Sequence, residues 1–159
     1  MPRKNKKLPR HLLVIRTSAM GDVAMLPHAL RALKEAYPEV KVTVATKSLF
    51  HPFFEGLDVG FLDIETRRTH RGIRGAIRFA REAAELKIDA VADMHNVLRS
   101  KMVRAALHLR GIPVSVIHKG RIEKYMRLGR GSEGVKPLKH TVIRYCDCLL
   151  YTSDAADEL

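Results

Sequence analysis

Tryptophan is absent from the 159 residues, and there are only four tyrosines and five phenylalanines. Platforms for single-stranded nucleic acid stack bases on aromatic faces, so little is available to build one. Cysteine is as scarce. Cys146 and Cys148 are the only two, which excludes a disulfide framework, and their spacing alone makes no metal site. No apolar run approaches the roughly 18 residues that a membrane-spanning helix needs. The basic opening leads into only five or six apolar residues, too few for a secretory leader. The expected location is therefore the cytoplasm. Acids are also few: 17 Asp and Glu stand against 29 Lys and Arg, a formal net charge of +12. Such a balance asks for an anionic partner, whether nucleic acid, an anionic membrane surface or a phosphorylated substrate.

What is present is ordinary globular material, 46% apolar and 29% charged, enough for one domain and too little for two full-sized ones. Residues 11–16 (HLLVIR) form a short apolar run that reads as a buried parallel strand. Val23, Leu26, Leu30, Leu33 and Tyr37 then recur at helical spacing, and Pro38 stops the pattern. Residues 40–46 (VKVTVAT) alternate and are β-branched, a strand signal. A short helix broken by Pro52 is expected over 48–55 and a strand over 60–64. A helix follows over 72–87, a strand over 88–93, a helix over 97–110 and a strand over 113–117. Further helices are expected over 119–128 and from about Leu138. Strands alternating with helices of this length predict an α/β fold, a doubly wound, mostly parallel, Rossmann-like sheet.

Ligands of such sheets bind outside the carboxyl ends of the strands. That directs attention to residues 17–22, 65–71, 93–96 and 118–121. The first of these loops carries neither the G-x-G-x-x-G of dinucleotide binders nor a Walker Gly-Lys-Ser/Thr, which argues against a stand-alone nucleotide binder. Gly21 allows a tight turn or a close backbone approach. Asp22 reads on spacing as a helix N-cap. Arg67, Arg68 and Arg71 fall in the loop after the third strand. Arg99 and Lys101 begin the helix after the fourth, where both read first as solvated surface, and Arg121 and Lys124 follow the fifth. His95 is as readily a satisfied polar residue as a ligand. At about 100° per residue, Arg74, Arg78 and Arg81 share one helix face, and Ile73, Ala76, Ile77, Ala80 and Ala84 another. A basic α/β nucleic-acid-binding module is one reading of the charge, although no helix-turn-helix, zinc or RNA-recognition signature accompanies it.

Residues 12–38 resemble the opening of the heptosyltransferases, glycosyltransferase family 9. The matching residues are Arg16, Ser18, Met20-Gly21-Asp22, Leu26-Pro27, Leu30, Leu33-Lys34 and Tyr37-Pro38. The stretch 88–93 (IDAVAD), with Arg99-Ser100 beyond it, is similar to the family's second landmark, and 139–142 (KHTV) to the exit from its first domain. The resemblance implies the N-terminal, acceptor-binding half of a GT-B enzyme, with the C-terminal donor domain absent from this chain. It implies transfer of a heptose from ADP-heptose to lipid A–Kdo or the inner core of lipopolysaccharide, with inversion. Asp22 would be the general base; Ser18, Met20 and Gly21 would line the acceptor site; Arg67, Arg68, Arg71, Arg99, Arg121 and Lys124 would grip its anionic groups, a task that suits the planar guanidinium fork. No cofactor, metal or nucleic acid is implied, and the fragment alone is expected to be inactive. Two departures stand out: Ala19 where the family often has Ser, and Asp93-Met94-His95-Asn96 in place of Asp-x-Gln-Gly.

The expected plan is a basic arm over 1–10, the Rossmann-like domain over 11–147, and a non-native tail over 148–159. Residues 148–158 (CLLYTSDAADE) resemble a translated sequencing adaptor, which makes the chain the start of a longer protein. The arm, with five Lys or Arg in residues 2–10, reads first as a disordered solubilising segment; it also suits peripheral contact with the cytoplasmic face of the inner membrane.

Overall fold

The computed structural model describes residues 8–65, 67–118 and 139–152. Its elements are β1 (His11–Ile15), α1 (Met20–Ala36), β2 (Lys41–Thr46), a 3₁₀ segment (Ser48–Phe54), β3 (Gly60–Asp63), α2 (Gly72–Glu85), β4 (Ala90–Asp93), α3 (Leu98–His108), β5 (Val114–Val116) and α4 (Thr141–Thr152). The helix expected over 119–128, with Arg121 and Lys124, lies outside the described residues. The last helix starts at Thr141, three residues later than expected, and runs across the boundary expected at Asp147. Its Cys148 and Leu149 are buried.

The five strands form one sheet in the order β3-β2-β1-β4-β5, and each adjacent pair is parallel. β1 lies in the middle and is buried along its whole length, which is why it reads as a continuous apolar run and not as an alternation. Its side chains still divide by the period of two. Leu12 and Val14 join one core with Val23, Leu26 and Leu30 of α1 and Tyr145, Cys148 and Leu149 of α4. Leu13 and Ile15 join the other with Phe79 and Ala80 of α2 and Val103 and Leu107 of α3. Helices thus cover both faces, and each fully buried Leu, Val or Phe contributes about 1.5–3 kcal/mol.

α2 departs from the expected face. Gly75, Ala76, Phe79, Ala80 and Ala83 are its buried residues, while Ile73 and Ile77 are 68% and 53% exposed. The buried stripe is small apart from Phe79 and packs against α3, and the two isoleucines fall outside the contact. The edge strand β3 is the least covered, with three of its four residues exposed.

All strands run the same way, so the segments after β1, β3 and β4 emerge along one edge of the sheet. The chain leaves β3 at one margin and re-enters at β4, on the other side of β1. That reversal opens a crevice between the carboxyl ends of β1 and β4, where sheets of this kind bind ligands.

Candidate functional site

α1 begins at Met20, with Ala19 as the cap and no side-chain cap hydrogen bond. Asp22 is therefore not an N-cap; it is the third helical residue, in the first turn, where the free N–H groups and the dipole favour a carboxylate by about 0.3–1 kcal/mol. Nor does Gly21 serve a tight turn: its φ is not positive and a Cβ there would meet nothing within 4 Å. Met20 and Gly21 are exposed and Ser18 is half-buried, so this turn is open to solvent at the carboxyl end of β1.

The Asp22 side chain is 44% exposed, and its Oδ2 accepts a hydrogen bond from Nη2 of Arg16, whose own side chain is only 8% exposed. Arg16 follows β1 and points along the sheet edge, where its Nη1 donates to the main-chain carbonyl of Met94 just past β4. One guanidinium thus ties the two lips of the crevice together. Behind it the Tyr145 ring lies 5.9 Å from Arg16 Cζ. The Tyr145 hydroxyl donates to the Asp22 main-chain carbonyl at 3.0 Å. Burial, partly offset by Arg16 and reinforced by Asp22, pushes this phenol up to about 12. Arg16 fixes the carboxylate and Tyr145 fixes the backbone that carries it, leaving Asp22 Oδ1 without a hydrogen bond from the described residues.

The other lip is built by Asp93. It is fully buried, and its Oδ1 accepts the N–H groups of His95 at 2.9 Å and Asn96 at 2.8 Å. Asn96 takes a positive φ of 45°, a conformation that Asn tolerates better than most residues. Arg104 of α3 brings Nη1 to 3.5 Å from Asp93 Oδ2, countering the buried charge. His95 is buried as well. Its Nδ1 accepts the Thr17 N–H at 3.2 Å, which places the proton of the neutral ring on Nε2. Of the two readings open for His95, the structure thus gives it a structural partner, one that joins the β1 and β4 loops a second time.

Arg67 and Arg68 are exposed in the turn after β3, and Arg71 is exposed as the N-cap residue of α2. His70 anchors this turn: its Nδ1 accepts the Glu65 N–H at 3.1 Å and its Nε2 donates to Glu82 at 2.9 Å. Arg99, in the first turn of α3, lines a cleft of about 370 Å³, counted with its open mouth, together with Thr17, His70, Phe79, His95 and Ser100. The structure therefore places Ser18, Met20, Gly21, Asp22, Arg67, Arg68, Arg71 and Arg99 along the same edge of the sheet. Arg121 and Lys124 fall outside the described residues. Among the described residues no cluster of three His, Cys, Asp or Glu is arranged to hold a metal ion.

Sequence reasoning did not reach three of these partners. Arg16 entered only as a matching residue, although a cation ending a buried strand, six positions before Asp22, is itself a signal. Tyr145 carried none, because 123 residues separate it from the carbonyl it binds. The Asp93–Arg104 pair was legible only as helical spacing once the β4–α3 junction was known.

No family model and no curated protein matches the chain. Solved structures do. A glycosyl transferase family 9 protein from Veillonella parvula DSM 2008 aligns with a TM-score of 0.66 at 17% identity, over 90% of this chain and 41% of that one. The E. coli heptosyltransferase WaaC with ADP gives 0.61 at 22% identity, over 89% and 46%. The E. coli ADP-heptose lps heptosyltransferase II gives 0.60 at 21% identity, over 94% and 43%. The chain spans less than half the length of each. At these identities the fold is what is shared: this chain is folded as part of the family 9 glycosyltransferases is folded, in a Rossmann-like, all-parallel α/β domain.

Proposed function

We propose that this chain is the acceptor-binding half of an inverting, heptosyltransferase-like glycosyltransferase. The longer protein would transfer a heptose from ADP-heptose to the inner core of lipopolysaccharide, with lipid A–Kdo or an inner-core sugar as the acceptor. The observation that carries the reading is the Asp22 carboxylate, partly exposed at the crevice and held by one oxygen only. A general base must reach the acceptor hydroxyl with a free lone pair, and a positioned one contributes about 10²–10⁴-fold. Oδ2 is occupied by Arg16; Oδ1 is the oxygen available to take the proton as the hydroxyl attacks the anomeric carbon. The guanidinium groups of Arg67, Arg68, Arg71 and Arg99 stand along the same edge, suited to the carboxylates and phosphates of such an acceptor. The relatives with ADP and with ADP-2-deoxy-2-fluoro heptose bound support a nucleotide-sugar donor, which the missing half would hold for the most part. No resident cofactor is required by this chemistry.

The test is transfer from ADP-heptose to a lipid A–Kdo acceptor by the longest reading frame that carries these residues. Asp22→Asn is expected to lower kcat by about 10²–10⁴-fold in a protein that still folds, with only a small fall in melting temperature from the lost charge beside Arg16 and in the first turn of α1. Wild-type turnover in a folded Asp22→Asn protein would remove the base assignment.

A further inference from the structure

We propose that the outer face of α2 is a docking surface for an anionic phospholipid bilayer. Ile73 and Ile77 stand 68% and 53% exposed, one helical turn apart and so on the same side of the helix. Arg74, Arg78 and Arg81 are exposed on that helix, and Arg67, Arg68 and Arg71 are exposed in the residues leading into it. Of the two acids on α2, Glu82 is engaged by His70; only Glu85, four residues past Arg81, faces this field. From the neighbouring helix α3, Lys101 adds a further exposed cation, while Arg104 faces the buried Asp93.

This is the chemistry of a helix lying in the membrane interface. Isoleucine enters the acyl boundary, and arginine reaches from the same helix to lipid phosphates while its stem stays apolar. Each cation near an anionic leaflet raises binding about fivefold. A nucleic acid would use the arginines and leave the isoleucines in water. A second copy of the chain would cover the isoleucines but bring two arginine fields together, at a repulsive cost. The bilayer satisfies both halves of the pattern. α2 starts at the edge of the sheet that carries Asp22, so docking would hold the candidate site at the lipid surface; this consequence, unlike the docking, rests on the reading of the site as one for a glycolipid.

Flotation of the full chain with vesicles decides it. Vesicles of phosphatidylglycerol and phosphatidylethanolamine should carry the protein, and phosphatidylcholine vesicles should not. Ile73→Ser/Ile77→Ser should weaken partitioning about tenfold or more, and Arg74→Gln/Arg78→Gln/Arg81→Gln about fivefold per charge. Both sets lie on solvent-facing positions, so circular dichroism should report an intact fold. Lys4→Gln/Lys6→Gln/Lys7→Gln tests the basic arm. Loss of binding in the arm variant with retention in the isoleucine variant overturns the proposal. So does a dimer in sedimentation that the isoleucine variant dissolves, or wild-type binding to duplex RNA without binding to vesicles. The isoleucine variant leaves Asp22 and its partners untouched. Transfer to a water-soluble truncated acceptor should therefore be unchanged in it, which separates failure of the docking surface from failure of the transferase reading.

Discussion

Asp22 and Arg16 divide the work of a site between two residues. The carboxylate is reachable from solvent; the guanidinium that holds it is not. Tyr145 completes the arrangement from the other end of the chain, and its titration offers a way to measure the contact. Folding raises this phenol from 10.0 to about 12, so the folded state favours the neutral form. Stability from this group is present below pH 10, where the unfolded phenol is also neutral. It is lost as pH rises from 10 toward 12, by about 2–3 kcal/mol in all. Tyr145→Phe removes the hydrogen bond to Asp22, worth about 0.5–1.5 kcal/mol, and with it the titration. The variant is expected to be less stable than the parent at pH 8 and more stable near pH 11.5, as read from paired denaturant melts. Parallel curves without a crossover would show that the phenol is not buried as described.

At the scale of elements, the packing of α2 sets the shape of the loop that carries Arg67, Arg68 and Arg71. Gly75 makes the close contact. A Cβ there would lie 2.2 Å from the His70 carbonyl carbon and 2.6 Å from its Cα, so backbone would have to move. Gly75→Ala is expected to cost at least about 1–3 kcal/mol and to displace the arginine turn, measurable as a fall in melting temperature. Gly21→Ala is the contrasting case. Open space and an ordinary φ at Gly21 predict unchanged or slightly higher stability, by up to about 0.4–1 kcal/mol, through the unfolded chain. The sequence drew attention to Gly21 and gave no signal at Gly75. Which of them is sterically required depended on what stands opposite each, and for Gly75 that is His70, the preceding turn folding back on the helix. The same distinction explains α2's isoleucines. Helical periodicity showed that the helix is amphipathic, but its alanines lie between Phe79 on one side and Ile73 and Ile77 on the other, so it did not tell which of the two flanks is buried with them.

For the molecule as a whole, α4 closes one side of the core. Tyr145, Cys148 and Leu149 are buried against α1 and the central strands. The Ser115 hydroxyl on β5 donates to the Cys148 carbonyl at 2.9 Å. Burial pushes the Cys148 thiol up to about 11, with the Ser115 hydrogen bond acting the other way. Ending the chain at Asp147 removes two of these three buried side chains and the last turns of α4. A loss of about 2–5 kcal/mol is expected in equilibrium unfolding. An unchanged midpoint would show that residues 148–159 carry no part of the core.

The alternation of short apolar strands and amphipathic helices was enough to derive a parallel, doubly wound sheet, because hydrophobic period and element length are local properties of the chain. It also put Asp22, Arg67, Arg68, Arg71 and Arg99 just past the carboxyl ends of strands, since direction is fixed once every strand is parallel. Strand order was not local. Only the tertiary structure placed β4 beside β1, and with it the crevice, the Arg16 bridge to Met94 and the Thr17–His95 contact. Tyr145 reached Asp22 for the same reason: hydrogen bonds between residues far apart in sequence depend on how layers dock, and no spacing along the chain encodes that.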